Sequence, residues 1–139
     1  LEELTRKLGL EKHVIFTGYL SDERLKSAYQ RADVVVLPSV KEGFGLVVSE
    51  AWLYKKPVIV SRGAGASETV MEGVNGYTFT PGNVEELAKK LLKVLKKPKL
   101  ASIMGRRGRE TARNLSINRG VKDIAEVFRD VIKSFGSRR

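Results

Sequence analysis

The sequence contains no cysteine, so a disulfide framework and thiolate chemistry are both excluded, and a reducing cytoplasm is a compatible setting. Its single histidine, His13, leaves little scope for a histidine-based metal site or a Ser-His-Asp triad. No apolar run approaches the roughly 20 residues that span a bilayer. The longest, "VVVL" and "VIV", are the length of strands. Aromatic residues are few, at 7%, and are not interleaved with the basic residues near the C-terminus, so the stacking platforms of single-strand binders are missing. No helix-turn-helix signature stands out either. An initiator methionine and a signal peptide are also lacking. The opening "LEELTRKLGL" reads as a helix entered partway through, with Leu1, Leu4 and Leu8 on one stripe and Gly9 as its stop, and the expectation is a fragment of a longer chain.

What is present is one domain's worth of ordinary globular sequence: 139 residues, 42% hydrophobic and 30% charged. The net charge of +10 is uneven. Residues 93–139 hold 14 of the 26 lysines and arginines against four acids, Glu110, Asp123, Glu126 and Asp130, whereas residues 1–92 balance at 12 against 12. Such a basic third serves solubility, an anionic membrane surface or a nucleic acid, the last being the least supported here.

Along the chain, "HVIFTG" reads as a short strand with Gly18 at its exit. "LSDERLKSAYQRAD" reads as a helix capped by Ser21 or Asp22, with Leu25, Ala28 and Tyr29 as its apolar stripe. "DVVVLP" and "PVIVS" are continuous apolar runs, as expected of parallel strands buried on both faces. "LVVSEAWLYKK" lies between them as a helix. "GAGASETVMEG" is a glycine-rich loop entering a short helix, and "GYTFT" is a last strand. From Asn83 the pattern is helical. "NVEELAKKLLKVLKK" has Asn83 as cap, acids in its first turn and lysines in its last. "LASIMGRRGRETARNL" is a helix interrupted by Gly105 and Gly108. A final helix carries Ile117, Val121, Ile124, Phe128, Val131 and Phe135 on one face. Strands alternating with helices predict an α/β fold with a parallel sheet, residues 1–82 forming the sheet part and 83–139 a helical C-terminal third.

The loop "PSVKEGFGLVVSE" follows a strand and leads into a helix, the position at which open α/β sheets bind ligands. Gly43 and Gly45 let the backbone approach a ligand, and the amides of Gly45, Leu46 and Val47 are donors at a helix start suited to a phosphate. Glu42 and Glu50, with seven residues between them, accept hydrogen bonds, and their natural partners are hydroxyls. The residues alone leave two readings open: a ligand with a phosphate flanked by hydroxyls, such as a sugar nucleotide, or a structural turn with a dipole-matched acid. The usual phosphate motifs do not decide, since there is no G-x-x-x-x-G-K-[ST], and "GFGLVV" lacks the third glycine of the dinucleotide fingerprint.

The stretch "ADVVVLPSVKEGFGLVVSEAWLYKKPVIVSRGAGASETVMEGVNGYTFTPGNVEELAKKLLKVL" resembles the nucleotide-sugar-binding C-terminal half of retaining glycosyltransferases of the GT-B fold, family 4 (glycosyl transferases group 1). Its carriers are the acid pair Glu-x7-Glu at Glu42 and Glu50, the Gly-Phe-Gly core between them, and "GVNGYTFTPGN". The resemblance implies a Rossmann-like sheet binding a UDP-sugar or GDP-sugar, with no other cofactor and no obligatory metal. It implies that Glu50 takes the ribose hydroxyls, and that Glu42 orients the transferred hexose without acting as a nucleophile. The amides at Gly43, Phe44 and Gly45 would face the sugar, those of Leu46 and Val47 the diphosphate, and Gly18, Tyr19 and Leu20 the base. The "RGAGASETV" loop, with Gly63, Gly65 and Glu68, would approach the donor sugar; its other reading is a capped strand-to-helix turn.

Two departures bear on activity. The family's N-terminal acceptor domain is not in this sequence, nor are the two strands that would precede "HVIFTG" and carry the basic diphosphate clamp. Lys41 and Arg62 are the nearest cations, off the clamp positions. With a strand order of 3-2-1-4-5-6, "HVIFTG" would be cut off from "DVVVLP", would pair with it directly, or would borrow strands from another copy. The expectation is a cytoplasmic enzyme, or one peripheral at the inner membrane face, of which this chain alone is inactive. A non-catalytic basic interaction module and a GT-B epimerase or phosphorylase are the alternatives.

Overall fold

The structure is a computed structural model that describes residues 1–115; the predicted helix with its stripe from Ile117 to Phe135 lies outside the described residues. The chain falls into two compact units, Leu1–Arg31 and the part from Ala32 onward.

The first unit holds helices α1 (Glu2–Lys7) and α2 (Asp22–Arg31). Acids open each helix and basic residues close it, in line with the helix dipole. Residues 13–18, expected as a strand, form none, and Ile15 is 85% exposed. A strand exists only through hydrogen bonds to a neighbour, and the sheet takes in no residue before Val35. Of the stripe expected on α2, only Tyr29 is buried, while Leu25 and Ala28 are exposed.

The second unit is built on a three-stranded parallel sheet, β1 (Val35–Leu37), β2 (Val58–Ser61) and β3 (Gly76–Phe79), in that order. Val36 pairs with Ile59 and Ile59 with Tyr77, so these three share one face of the sheet. Helices α4 (Val84–Leu95) and α5 (Pro98–Asn114) cover that face. Leu87, Leu91 and Val94 from α4, and Leu100, Ala101 and Met104 from α5, close on Ile59, Tyr77 and Phe79. Helix α3 (Leu46–Leu53) follows β1 and packs on β1, β2 and α5.

The expected interruption of α5 is not present: the helix runs unbroken through Gly105 and Gly108. Both glycines are buried because a neighbour lies where a side chain would be. A Cβ on Gly105 would overlap the Lys55 carbonyl, and one on Gly108 the Trp52 indole. Close approach, not helix breaking, explains them.

Asn83 caps α4 as expected, its side chain accepting from the Glu86 amide at 3.0 Å. Glu86 in turn accepts from the Thr80 amide at 2.8 Å and pairs with Arg62 at 2.6 Å. The Thr80 hydrogen bonds, with Arg62 and Lys90 adding attraction, hold its carboxyl below the ordinary glutamate range. At Glu72 burial pushes the other way, but Lys90 and the Thr78 amide outweigh it, and that carboxyl is lowered too. Carboxyls lowered by folding stabilise the fold above their unfolded values, and that stabilisation is lost as pH falls through the lowered ones. In acid titrations followed by circular dichroism, Glu72→Gln is therefore expected to be less stable than the parent at neutral pH and nearly equal to it in acid. A constant difference across the titration would exclude the linkage.

Candidate functional site

Parallel strands bring their carboxyl ends, and the loops that follow, to one edge of the sheet. The loops leaving β1 and β2 meet there and are bonded together. The Gly65 amide donates to the Glu42 carbonyl at 2.8 Å, and Glu42 and Ala64 form an isolated parallel bridge. A Cβ on Gly65 would overlap the Gly43 carbonyl oxygen, so the contact requires glycine. Gly45 caps α3 in the left-handed region, at φ +54°. The Val48 amide bonds to the Gly45 carbonyl at 2.8 Å. Among the described residues, the amides of Gly45, Leu46 and Val47 have no backbone partner, and they stand at the positive end of the helix.

Beside this junction is a cleft of about 510 Å³. Gly43, Phe44 and Leu46 line it from the first loop, Gly65, Glu68 and Thr69 from the second, and Leu115 from the end of α5. Phe44 is 91% exposed, an unusual position for a phenylalanine unless something covers it.

Five of the sequence-predicted residues thus line the cleft, Gly43, Phe44 and Leu46 from the first loop and Gly65 and Glu68 from the second. Glu42 supplies its backbone to the junction and is half-buried, and Glu50 is half-buried in the second turn of α3. Neither acid is among the residues lining the cleft, nor is Val47. Gly18, Tyr19 and Leu20 belong to the first unit, where Gly18 takes φ +58° and Tyr19 is exposed. Of the two nearby cations, Lys41 is exposed. Arg62 is bound elsewhere, donating to the Thr80 hydroxyl and to Glu86, each at 2.6 Å.

Sequence reasoning missed Thr69 and Leu115 as cleft residues. It also missed Asn75, a fully buried polar side chain that ties the second loop down. Its Oδ1 accepts from the Met71 amide at 2.8 Å, and its Nδ2 donates to the Thr69 carbonyl and the Thr111 hydroxyl, both at 3.1 Å. Its carbonyl accepts from the Trp52 indole at 3.0 Å. Asn75 lies inside the quoted motif "GVNGYTFTPGN", which was the available signal.

Comparison with known proteins gives a consistent result. Residues 1–111 match the family model described as glycosyl transferases group 1. EpsD, a putative glycosyltransferase of Bacillus subtilis (strain 168), is 33% identical over 127 residues, covering 91% of this chain and 33% of that protein. The structure of sucrose-phosphate synthase (tll1590) from Thermosynechococcus elongatus superposes with a TM-score of 0.83 at 30% identity, covering 96% of this chain and 34% of that one. Anabaena Alr3699/HepE, solved in complex with UDP, gives 0.83 at 30%, covering 93% and 35%. The chain spans about a third of the length of each of these relatives. With a family match over most of its length and the parallel sheet and flanking helices of a Rossmann-like GT-B half, the chain belongs to the glycosyl transferases group 1 family.

Proposed function

We propose that this chain is the donor-binding part of a retaining glycosyltransferase that moves a hexose from a nucleoside diphosphate sugar to an acceptor. The observation that carries the reading is the junction of the two loops, which sets the unpartnered amides at the start of α3 beside an open cleft at the carboxyl edge of the sheet. The diphosphate takes those amides, since they offer donors and the positive helix end to an anion. Glu50 accepts from the ribose hydroxyls and Glu42 from those of the sugar. Neither carboxylate attacks: retention proceeds on the front face of an oxocarbenium-like state, with Glu42 orienting the ring. Gly18, Tyr19 and Leu20 take the base. The Anabaena relative's UDP complex favours uridine over guanosine as that base.

The chain on its own binds donor without turning it over. Arg62 is committed to Thr80 and Glu86, so it does not serve as a diphosphate clamp, and the acceptor belongs to another part of the parent protein.

An amide-resolved NMR titration with UDP at moderate salt is the test. The expected result is a set of shifts confined to residues 18–20, 43–50 and 63–69. Glu50→Gln is expected to weaken UDP by about 1–3 kcal/mol, the cost of losing a charged acceptor for a buried hydroxyl pair. Unchanged affinity in that variant would remove Glu50 from the ribose. A spectrum unmoved by UDP would remove the donor site from this chain.

A further inference from the structure

We propose that the outer faces of α4 and α5 form a surface that docks on an anionic lipid bilayer. The core contacts settle which sides point outward. Both helices close on the same row of sheet residues, Ile59, Tyr77 and Phe79, so their opposite sides share one surface. Between Glu86 and Glu110 the sequence has no acid and nine lysines and arginines, and the exposed acids of the two helices, Glu85 and Glu110, stand at the first turn of α4 and towards the end of α5. Lys90 is engaged with Glu72, and Lys90 and Lys93 both sit over the Tyr77 ring, so these two serve the fold. Lys89, Lys96, Lys97, Lys99 and Arg106 are exposed. Apolar side chains stand among them: Leu92 is 51% exposed, Leu95 49% and Ile103 42%.

A face that only keeps a protein soluble intersperses the two signs of charge, whereas here nine basic residues run between Glu86 and Glu110 with aliphatic side chains set among them. A bilayer with anionic headgroups uses both features. Its surface potential attracts each lysine within a Debye length, and its headgroup boundary accepts half-exposed aliphatic side chains. A nucleic acid would use the charge but not the leucines, and the surface offers it no exposed aromatic ring to stack on. No described helix is long and apolar enough to cross a membrane, and the contact proposed is with the surface of one. It is independent of the donor site, which UDP titration reads separately.

Flotation of the full 139-residue chain with phosphatidylcholine vesicles, with and without phosphatidylglycerol, tests the proposal. Binding is expected only with phosphatidylglycerol and should fall steeply with salt. At about fivefold per lysine, the triple variant Lys96→Gln, Lys97→Gln, Lys99→Gln should lower the partition coefficient on the order of 100-fold. Leu92→Ser with Ile103→Ser should weaken binding while leaving the salt dependence unchanged. Circular dichroism checks that each variant is folded, and the apolar pair keeps the test open if the lysine triple is not. A control removing the same charge from the first unit, Lys7→Gln, Lys12→Gln and Lys26→Gln, should change partition far less. No flotation, equal binding to uncharged vesicles, or an equal loss in the control would overturn the proposal. So would retention on duplex RNA without vesicle binding, which would give the surface to nucleic acid.

Discussion

Trp52→Ala is expected to remove about 3–5 kcal/mol of stability, measured by urea unfolding. The indole is fully buried, packed against Gly108 of α5, and its NH is bonded to the Asn75 carbonyl. The variant loses three things together: the burial of the largest side chain in the core, the close contact of α3 with α5, and a partner for a buried carbonyl. Domains of this kind have about 5–15 kcal/mol in all, so the variant should sit near the edge of unfolding at room temperature. Gly108→Ala provides the cross-check. Helix propensity alone would make it stabilising by about 1 kcal/mol, yet the added carbon would overlap the indole ring, and overpacking of this sort costs about 1–3 kcal/mol. The single variant should therefore be destabilised. On the Trp52→Ala background the same alanine enters vacated space, so the double-mutant cycle should show coupling that favours the pair. Additive effects would mean that the two residues do not touch.

The second large effect is expected at the loop junction. Gly65→Ala sets a methyl group against the Gly43 carbonyl oxygen, with the Glu42 carbonyl oxygen 3.1 Å away. These are backbone atoms, which cannot rotate aside as a side chain would. Either the loops part and the bond from the Gly65 amide to Glu42 is lost, or the strain is absorbed along both loops. If the junction forms the donor cradle, UDP affinity should fall by at least about tenfold, with a stability loss of about 1–3 kcal/mol. Gly43→Ala separates the two consequences. Nothing lies within 4 Å of a carbon added there, so the fold should keep its stability and any change in UDP binding would come from the ligand side. A Gly65→Ala chain that binds UDP as the parent does would mean that the junction is not part of the site.

The sheet was legible because its information is local. "VVVL" and "VIVS" are apolar runs of strand length, "GYTF" follows a turn with aromatic and β-branched residues, and each became a strand. The cap at Asn83 was legible for the same reason, since a capping side chain acts three residues away. Residues 13–18 have the same composition and form no strand, because strand formation depends on a partner that composition does not name. Gly105 and Gly108 were read as helix breaks for a related cause: what approaches a glycine lies some 50 residues away in sequence, at Lys55 and Trp52. At the candidate site, the spacing of Glu42, Gly43, Gly45 and Glu50 singled out the first loop, of which Gly43, Phe44 and Leu46 line the cleft and the two acids do not. On the second loop Gly65 and Glu68 were named through the family resemblance, whereas Leu115 was not, because its place depends on how α5 ends, which no spacing encodes.

Trp52 is the single tryptophan of the chain, and its only indole NH is bonded to Asn75, whose amide group holds Thr69 at the cleft wall. The protein therefore carries an optical sensor joined to the second loop by one residue. Intrinsic emission should be blue-shifted in the folded chain, as expected of a dry indole. A ligand that pulls Thr69 inward would be reported as a change in intensity without labelling, and a ligand bound elsewhere would leave the signal unchanged.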